Sequence, residues 1–182
     1  MSRSIKITLK KAEEGYDLLA SKLFGAPVFP EGWEDKFTDD VIFFGQIRLS
    51  DIAELDTENR LPHTGYLYLM LDTDVYPYTA ITEYYDGDVR TVIDDFNEIN
   101  PEFAHLNHAY LMSFEEADED YDGTKLFGTP SSEPDEDGEL LMQFDPLDEA
   151  TGFLEEIDGY AYFFFGEDSE GTDGVRFVID RG

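Results

Sequence analysis

The chain has 182 residues, 41% hydrophobic and 15% aromatic, enough for one core and too apolar for an intrinsically disordered chain. Forty-three Asp and Glu against twelve Lys and Arg give a formal charge of −31, which disfavours nucleic acid and anionic membranes as partners and favours basic proteins or cations. The absence of cysteine removes disulfides, thiolate metal sites and a Cys nucleophile, and fits a reducing cytoplasm.

From the start of the chain, MSRSIKITLKK carries Arg3, Lys6, Lys10 and Lys11 and lacks the apolar stretch of a secretory signal. Apolar runs such as YAYFFF (160–165) are too short to span a bilayer, so the expected location is the cytoplasm. Tyr16, Leu19, Ala20 and Leu23 recur at helical spacing. With Lys22 in a last turn, Gly25 at a left-handed cap and Pro27 as a stop, they predict a helix ending at KLFGAP (22–27). Strands are predicted at the run closed by Gln46, at GYLYLML (65–71), ITEYY (81–85) and VRTVID (89–94), the last two joined by a hairpin at the Asp86-Gly87 step. LLMQF (140–144), YAYFFF and VRFVID (175–180) read as strands, and short helical turns are expected in SDIAEL (50–55) and PLDEATGFLEEI (146–157). The predicted class is α+β, dominated by antiparallel sheet.

The chain also repeats itself. Lys22, Leu23, Phe24, Gly25 and Pro27 return as Lys125, Leu126, Phe127, Gly128 and Pro130; Gln46 returns as Gln143, Gly65 as Gly159, and VRTVID as VRFVID. Two copies are too few for a solenoid. They predict one internally duplicated domain over residues 1–182 with pseudo-twofold symmetry, its copies at 22–94 and 125–180. A 95–124 connector with an acidic end joins them. EEADEDYDG (115–123) has no apolar period, so the second KLFG is expected to keep only the turn.

Several residues are candidates for chemistry. Asp118, Asp120 and Asp122 before Gly123 have the spacing of a calcium loop, but Thr129 stands where a bidentate Glu belongs, and a solvated acidic loop is the preferred reading. Glu102, His105 and His108, three apart after Pro101, would share one side of a helix and could hold a divalent metal; two histidines on a polar connector is the plainer alternative. His63 beside Pro62 reads as a turn residue. Gln46 and Gln143 lie inside apolar runs, where an unpaired amide is costly, so both are expected to satisfy backbone groups where the halves meet, a ligand-binding role for both being the alternative. Gly25, Pro27, Gly128 and Pro130 are structural by the same repetition. Trp33, the sole tryptophan, is either core or an anchor for a partner. A partner-binding face would join it to Glu115, Glu116, Asp118, Glu119, Asp120 and Asp122, and to Asp135, Glu136 and Asp137. No nucleophile elbow or phosphate loop occurs, so neither an enzyme nor a cofactor is expected, a weakly held calcium or other divalent ion being the alternative.

Ser21, Lys22, Phe24, Gly25, Pro27, Pro30 and Trp33, then Gln46-Ile47, Leu61-Pro62 and GYLY (65–68), then KLFGTP, LLMQFD, GYAYFFF and VRFVID, occur in an order that resembles the YwqG-like family of bacterial proteins. The likeness runs from about Ser21 to Asp180. It departs at Phe24, where members often carry a second glycine, and at SSEP (131–134), where a glutamine is expected. The resemblance implies a duplicated α+β domain and carries over no catalytic residue. Members often stand near secreted-toxin systems, which implies an immunity role. The expected function is therefore a non-enzymatic binding protein that neutralises a basic toxin through its acidic surface. The alternatives are a divalent-metal module or enzyme and an acidic housekeeping protein of a salt-tolerant organism.

Overall fold

The computed structural model describes residues 3–74, 78–99, 103, 106–132, 138–151, 159–166 and 174–180. Twelve strands and short 3-10 turns account for the regular structure among the described residues. The strands are β1 (Ser4–Lys11), β2 (Lys22–Leu23), β3 (Val28–Phe29), β4 (Val41–Arg48), β5 (Tyr66–Asp72), β6 (Thr79–Tyr85), β7 (Thr91–Val92), β8 (Tyr110–Ala117), β9 (Lys125–Leu126), β10 (Leu140–Phe144), β11 (Tyr160–Phe164) and β12 (Arg176–Asp180). Ten of them form one sheet in the order β12-β11-β10-β9-β1-β8-β2-β4-β5-β6, while β3 and β7 pair separately. Every pairing is antiparallel. The terminal strands β6 and β12 come alongside each other, so the sheet nearly closes into a barrel.

The predicted α+β class is thus corrected to an almost wholly antiparallel β fold, with no α-helix among the described residues. The expected helix ending at KLFGAP is a pair of turns running into β2. Its carbonyls are claimed from elsewhere. Leu18 O accepts from Lys22 Nζ at 3.0 Å and from Gln46 Nε2 at 3.1 Å, Leu19 O from Tyr66 Oη at 2.7 Å, and Ala20 O from Gln46 Nε2 at 3.1 Å. Side chains from the sheet supply donors that helical amides would otherwise have to supply. The short helical turn expected in 50–55 is present as a 3-10 turn, Leu49–Asp51, followed by further turns. Residues 146–151 are turns or unstructured, and the rest of the second expected helical turn lies outside the described residues. The predicted hairpin also fails: β7 does not return along β6 but pairs with β3, Val28 opposite Val92. VRTVID and VRFVID therefore occupy different places, since β12 pairs with β11 as β6 pairs with β5.

The sheet order reads the same outward from its central pair, β1 and β8, which run antiparallel with Thr8 opposite Ser113. The pair is exchanged between the halves: β1 contacts β9, Lys6 opposite Lys125, while β8 contacts β2, Leu111 opposite Lys22. Corresponding strands β4 and β10 shift register at corresponding places, between Phe43 and Gly45 and between Leu140 and Met142. Alternation along the strands sorts the apolar residues. Ile42, Phe44, Leu67, Leu69, Leu141, Phe144 and Phe163 fill the shared interior, where Phe44 packs edge-on against Phe163 at 5.0 Å and against Phe144 at 6.1 Å. The opposite face of β4 and β5 carries Val41, Phe43, Tyr66, Tyr68 and Met70 into a second cluster capped by Phe29 of β3 and Phe96. A smaller third cluster holds Leu140, Tyr162 and Phe164 on β10 and β11.

Candidate functional site: an aromatic corner on an acidic surface

The two KLFG segments build matching frames. Phe24 and Phe127 take positive φ, 57° and 62°, followed by Gly25 and Gly128 at 82° and 85°. A left-handed phenylalanine costs about 1–3 kcal/mol. Burial offsets it, since the side chains are only 0% and 2% exposed and burying such a ring gains about 2–3 kcal/mol. A Cβ on Gly25 would meet that of Ala109 at 2.6 Å, and one on Gly128 would meet the Glu119 carbonyl oxygen at 2.5 Å. Pro27 is buried, its carbonyl accepting from Ile93 N–H, and Pro130 is half-buried.

Behind each frame a glutamine and a lysine are buried together. Gln46 Oε1 accepts from Val28 N–H at 3.0 Å, while its amide holds the 18–20 loop; Gln143 Oε1 accepts from Ser131 N–H at 2.9 Å, and its Nε2 donates to Gly123 O at 2.9 Å and to Ser131 Oγ at 2.8 Å. Each glutamine serves loops of its own half, which corrects the expectation that both bridge the halves. Lys125 Nζ donates to Glu119 O at 3.0 Å and Thr129 O at 2.6 Å. Lys22 and Lys125 are both 0% exposed, and burial pushes each ammonium down to about 8 against the pull of Asp17 on Lys22 and of Asp122, Asp120 and Glu119 on Lys125. Their repetition marked both lysines in the sequence, though not their burial; two other buried polar residues, Asp56 and Asn97, carried no sequence signal.

The acidic stretch that ends β8 and runs on from it is tied to the fold at several points. Glu115 pairs with Lys6 at 3.4 Å, and Arg3 pairs with Glu116 at 2.6 Å and Asp118 at 3.3 Å. Asp118 O accepts from Ser4 Oγ, Glu119 from Thr129 Oγ1, and Asp122 O from Tyr160 Oη. Asp120 is exposed. Among the described residues no three His, Asp or Glu side chains are grouped to hold a metal, Asp118, Asp120 and Asp122 included. His108 is exposed at a bend, while Glu102 and His105 lie outside the described residues, as do Asp135, Glu136 and Asp137. His63 is held at its turn by Asp56, Nε2 to Oδ2 3.2 Å.

Trp33 lies apart from that stretch, on the face of the second cluster. The turn Pro30–Trp33, with Gly32 at φ 94°, folds the indole back over Phe29. Its ring lies 5.6 Å from Phe29, 5.7 Å from Tyr68, 6.3 Å from Phe37 and 6.1 Å from Tyr85, the last at 68° between planes. Trp33 is half-buried, so it is at once part of a packed cluster and part of the surface. Lys36, one turn on, sets Nζ 4.8 Å from the indole centroid and 3.5 Å from Glu83 Oε1 on β6. Glu31, Glu34 and Asp35 beside it in sequence, and Asp86 after Tyr85, are exposed. Glu83 and Tyr85 were not among the sequence candidates, because only the docking of the 30–37 turn on β6 brings them to Trp33.

A scan of protein-family models and a search of curated proteins each returned no match. Among the described residues no helix is long and apolar enough to cross a membrane.

Proposed function

We propose that this is a non-enzymatic binding protein of the cytoplasm that captures a basic protein through its acidic surface, with Trp33 as the anchor. The observation that carries the reading is a half-buried lone tryptophan in an aromatic corner, flanked by exposed carboxylates, on a chain of net charge −31. Such a field accelerates encounter with a basic partner, and a rigid aromatic anchor slows departure. The same field opposes nucleic acid and needs no cofactor. The resemblance to the YwqG-like family, taken as a proposal, makes a basic toxin the partner to try first, with the protein as its immunity factor.

The test is capture of basic proteins from the source organism, followed by association kinetics of the retained partner at low and high salt. A steep fall in association rate with salt is expected. An association rate indifferent to salt, or a retained partner that is acidic, sinks the reading.

A further inference from the structure

We propose that Trp33, Tyr85 and Glu83 form a seat for one lysine or arginine side chain of a basic partner, and that Lys36 fills this seat in the unbound protein. The inference rests on the reading above that the partner is basic, and adds where and how one of its cations is held.

A cation site at a protein surface needs an aromatic face, a carboxylate and a wall that limits hydration. All three converge here. The indole offers its face to Lys36 Nζ at 4.8 Å, Glu83 Oε1 lies 3.5 Å from the same nitrogen, and the Tyr85 ring stands 6.1 Å from the indole at 68°, closing one side. Among the described residues this is the shortest approach of a cation to a ring, the others lying between 5.1 and 5.8 Å. It also differs in accessibility from the 5.3 Å contact of Lys22 with Tyr16, because Lys22 is 0% exposed whereas Lys36 and Glu83 side chains are 38% and 32% exposed.

The occupant is a stand-in that can leave. An exposed ion pair contributes little, and holding the lysine stem in one geometry costs rotamer entropy. Lys36 is a base among many acids, set by its turn directly over the tryptophan. An incoming arginine would present a planar guanidinium that stacks on the indole and forks to the carboxylate, which an ammonium cannot do. The seat is therefore self-capped, and partner binding exchanges one cation for another.

The sole tryptophan makes the exchange directly observable. The full-length chain is titrated with a hexa-arginine peptide at low salt, following Trp33 fluorescence and, independently, calorimetric heat. Lys36→Ala is expected to tighten binding about threefold by removing the competitor, and Glu83→Gln to weaken it by a similar factor. Lys10→Ala makes the same charge change at an exposed position of β1 and is expected to leave the affinity unchanged. Lys36→Gln serves should Lys36→Ala lose its fold, as judged by circular dichroism. Heat of binding without a Trp33 response, or equal affinities for Lys36→Ala and Lys10→Ala, overturns the seat while leaving acidic-surface capture standing. No binding by any variant at low salt overturns both.

Discussion

Lys22 and Gln46 stand opposite each other in the β2–β4 ladder and donate to the same acceptor, the carbonyl of Leu18, at 3.0 and 3.1 Å. A strand only two residues long thereby fastens the whole 16–20 loop, because both donors are buried and the loop carbonyls have been turned toward them. Lys125 and Gln143 repeat the pairing in the second half but divide their targets, the lysine taking Glu119 and Thr129 and the glutamine Gly123 and Ser131.

Truncating Gln46 removes the acceptor of a buried amide and a donor to two carbonyls at once. Gln46→Ala is expected to destabilise the protein by about 2–4 kcal/mol, since an orphaned buried N–H costs its full desolvation. Gln143→Ala should cost less, its bonds being only partly buried. Urea midpoints of the two variants check the order; equal losses would contradict it.

The two buried lysines predict an unusual pH profile. With the folded ammonium lowered from 10.5 to about 8, the unfolded chain binds more protons between those values, so stability rises with pH across that window. The gain is expected to reach about 2 kcal/mol per lysine by pH 10. Above pH 10.5, where the unfolded lysines have also lost most of their protons, the trend reverses, because burial raises the Tyr68 hydroxyl above its ordinary value of 10.0 and the unfolded chain loses that proton first. Chemical denaturation from pH 7 to 11 should show a maximum, and the rising limb should halve in Lys22→Met.

At pH 7 the same substitution separates the two lysines. Leu18 O keeps Gln46 as a donor when Lys22 is removed, so Lys22→Met is expected to be neutral or stabilising by about 1 kcal/mol. Lys125 is bonded to Thr129 O at 2.6 Å as well as to Glu119 O, which also receives the Thr129 N–H. Lys125→Met should therefore destabilise by about 1–2 kcal/mol. Thermal midpoints measured side by side decide it.

Asp56, 3% exposed, accepts from the backbone N–H groups of Arg60 and Leu61 at 3.0 and 2.9 Å and contacts His63. Asp56→Ala is expected to cost about 2–3 kcal/mol, as charge-assisted bonds to one buried and one partly buried amide are lost. Amide exchange should locate the loosening at residues 60 and 61. Protection unchanged there would show that the loop holds without the carboxylate.

What the amino-acid order determined by itself was the local and the repeated. Alternating aromatic and β-branched runs placed most of the long strands, because a strand with a buried face needs that period whatever its neighbours are. The recurrence of Lys-Leu-Phe-Gly and of one glutamine in each apolar run marked the residues that now share a bonding task. The tertiary structure alone decided the rest. Tyr16, Leu19, Ala20 and Leu23 have helical spacing, yet their segment is a loop because the Lys22 side chain and donors distant in sequence, on Gln46 and Tyr66, take its carbonyls. VRTVID has the letters of a sheet strand, yet Val92 pairs with Val28, since the outer edge of β6, where a hairpin would have placed it, comes alongside β12. Trp33 meets Glu83 and Tyr85 only because the 30–37 turn docks across β6. Hydrogen-bond acceptors and aromatic faces go to whichever partner arrives with the least exposed surface and the best geometry, and that competition is settled in space between residues the chain order keeps far apart.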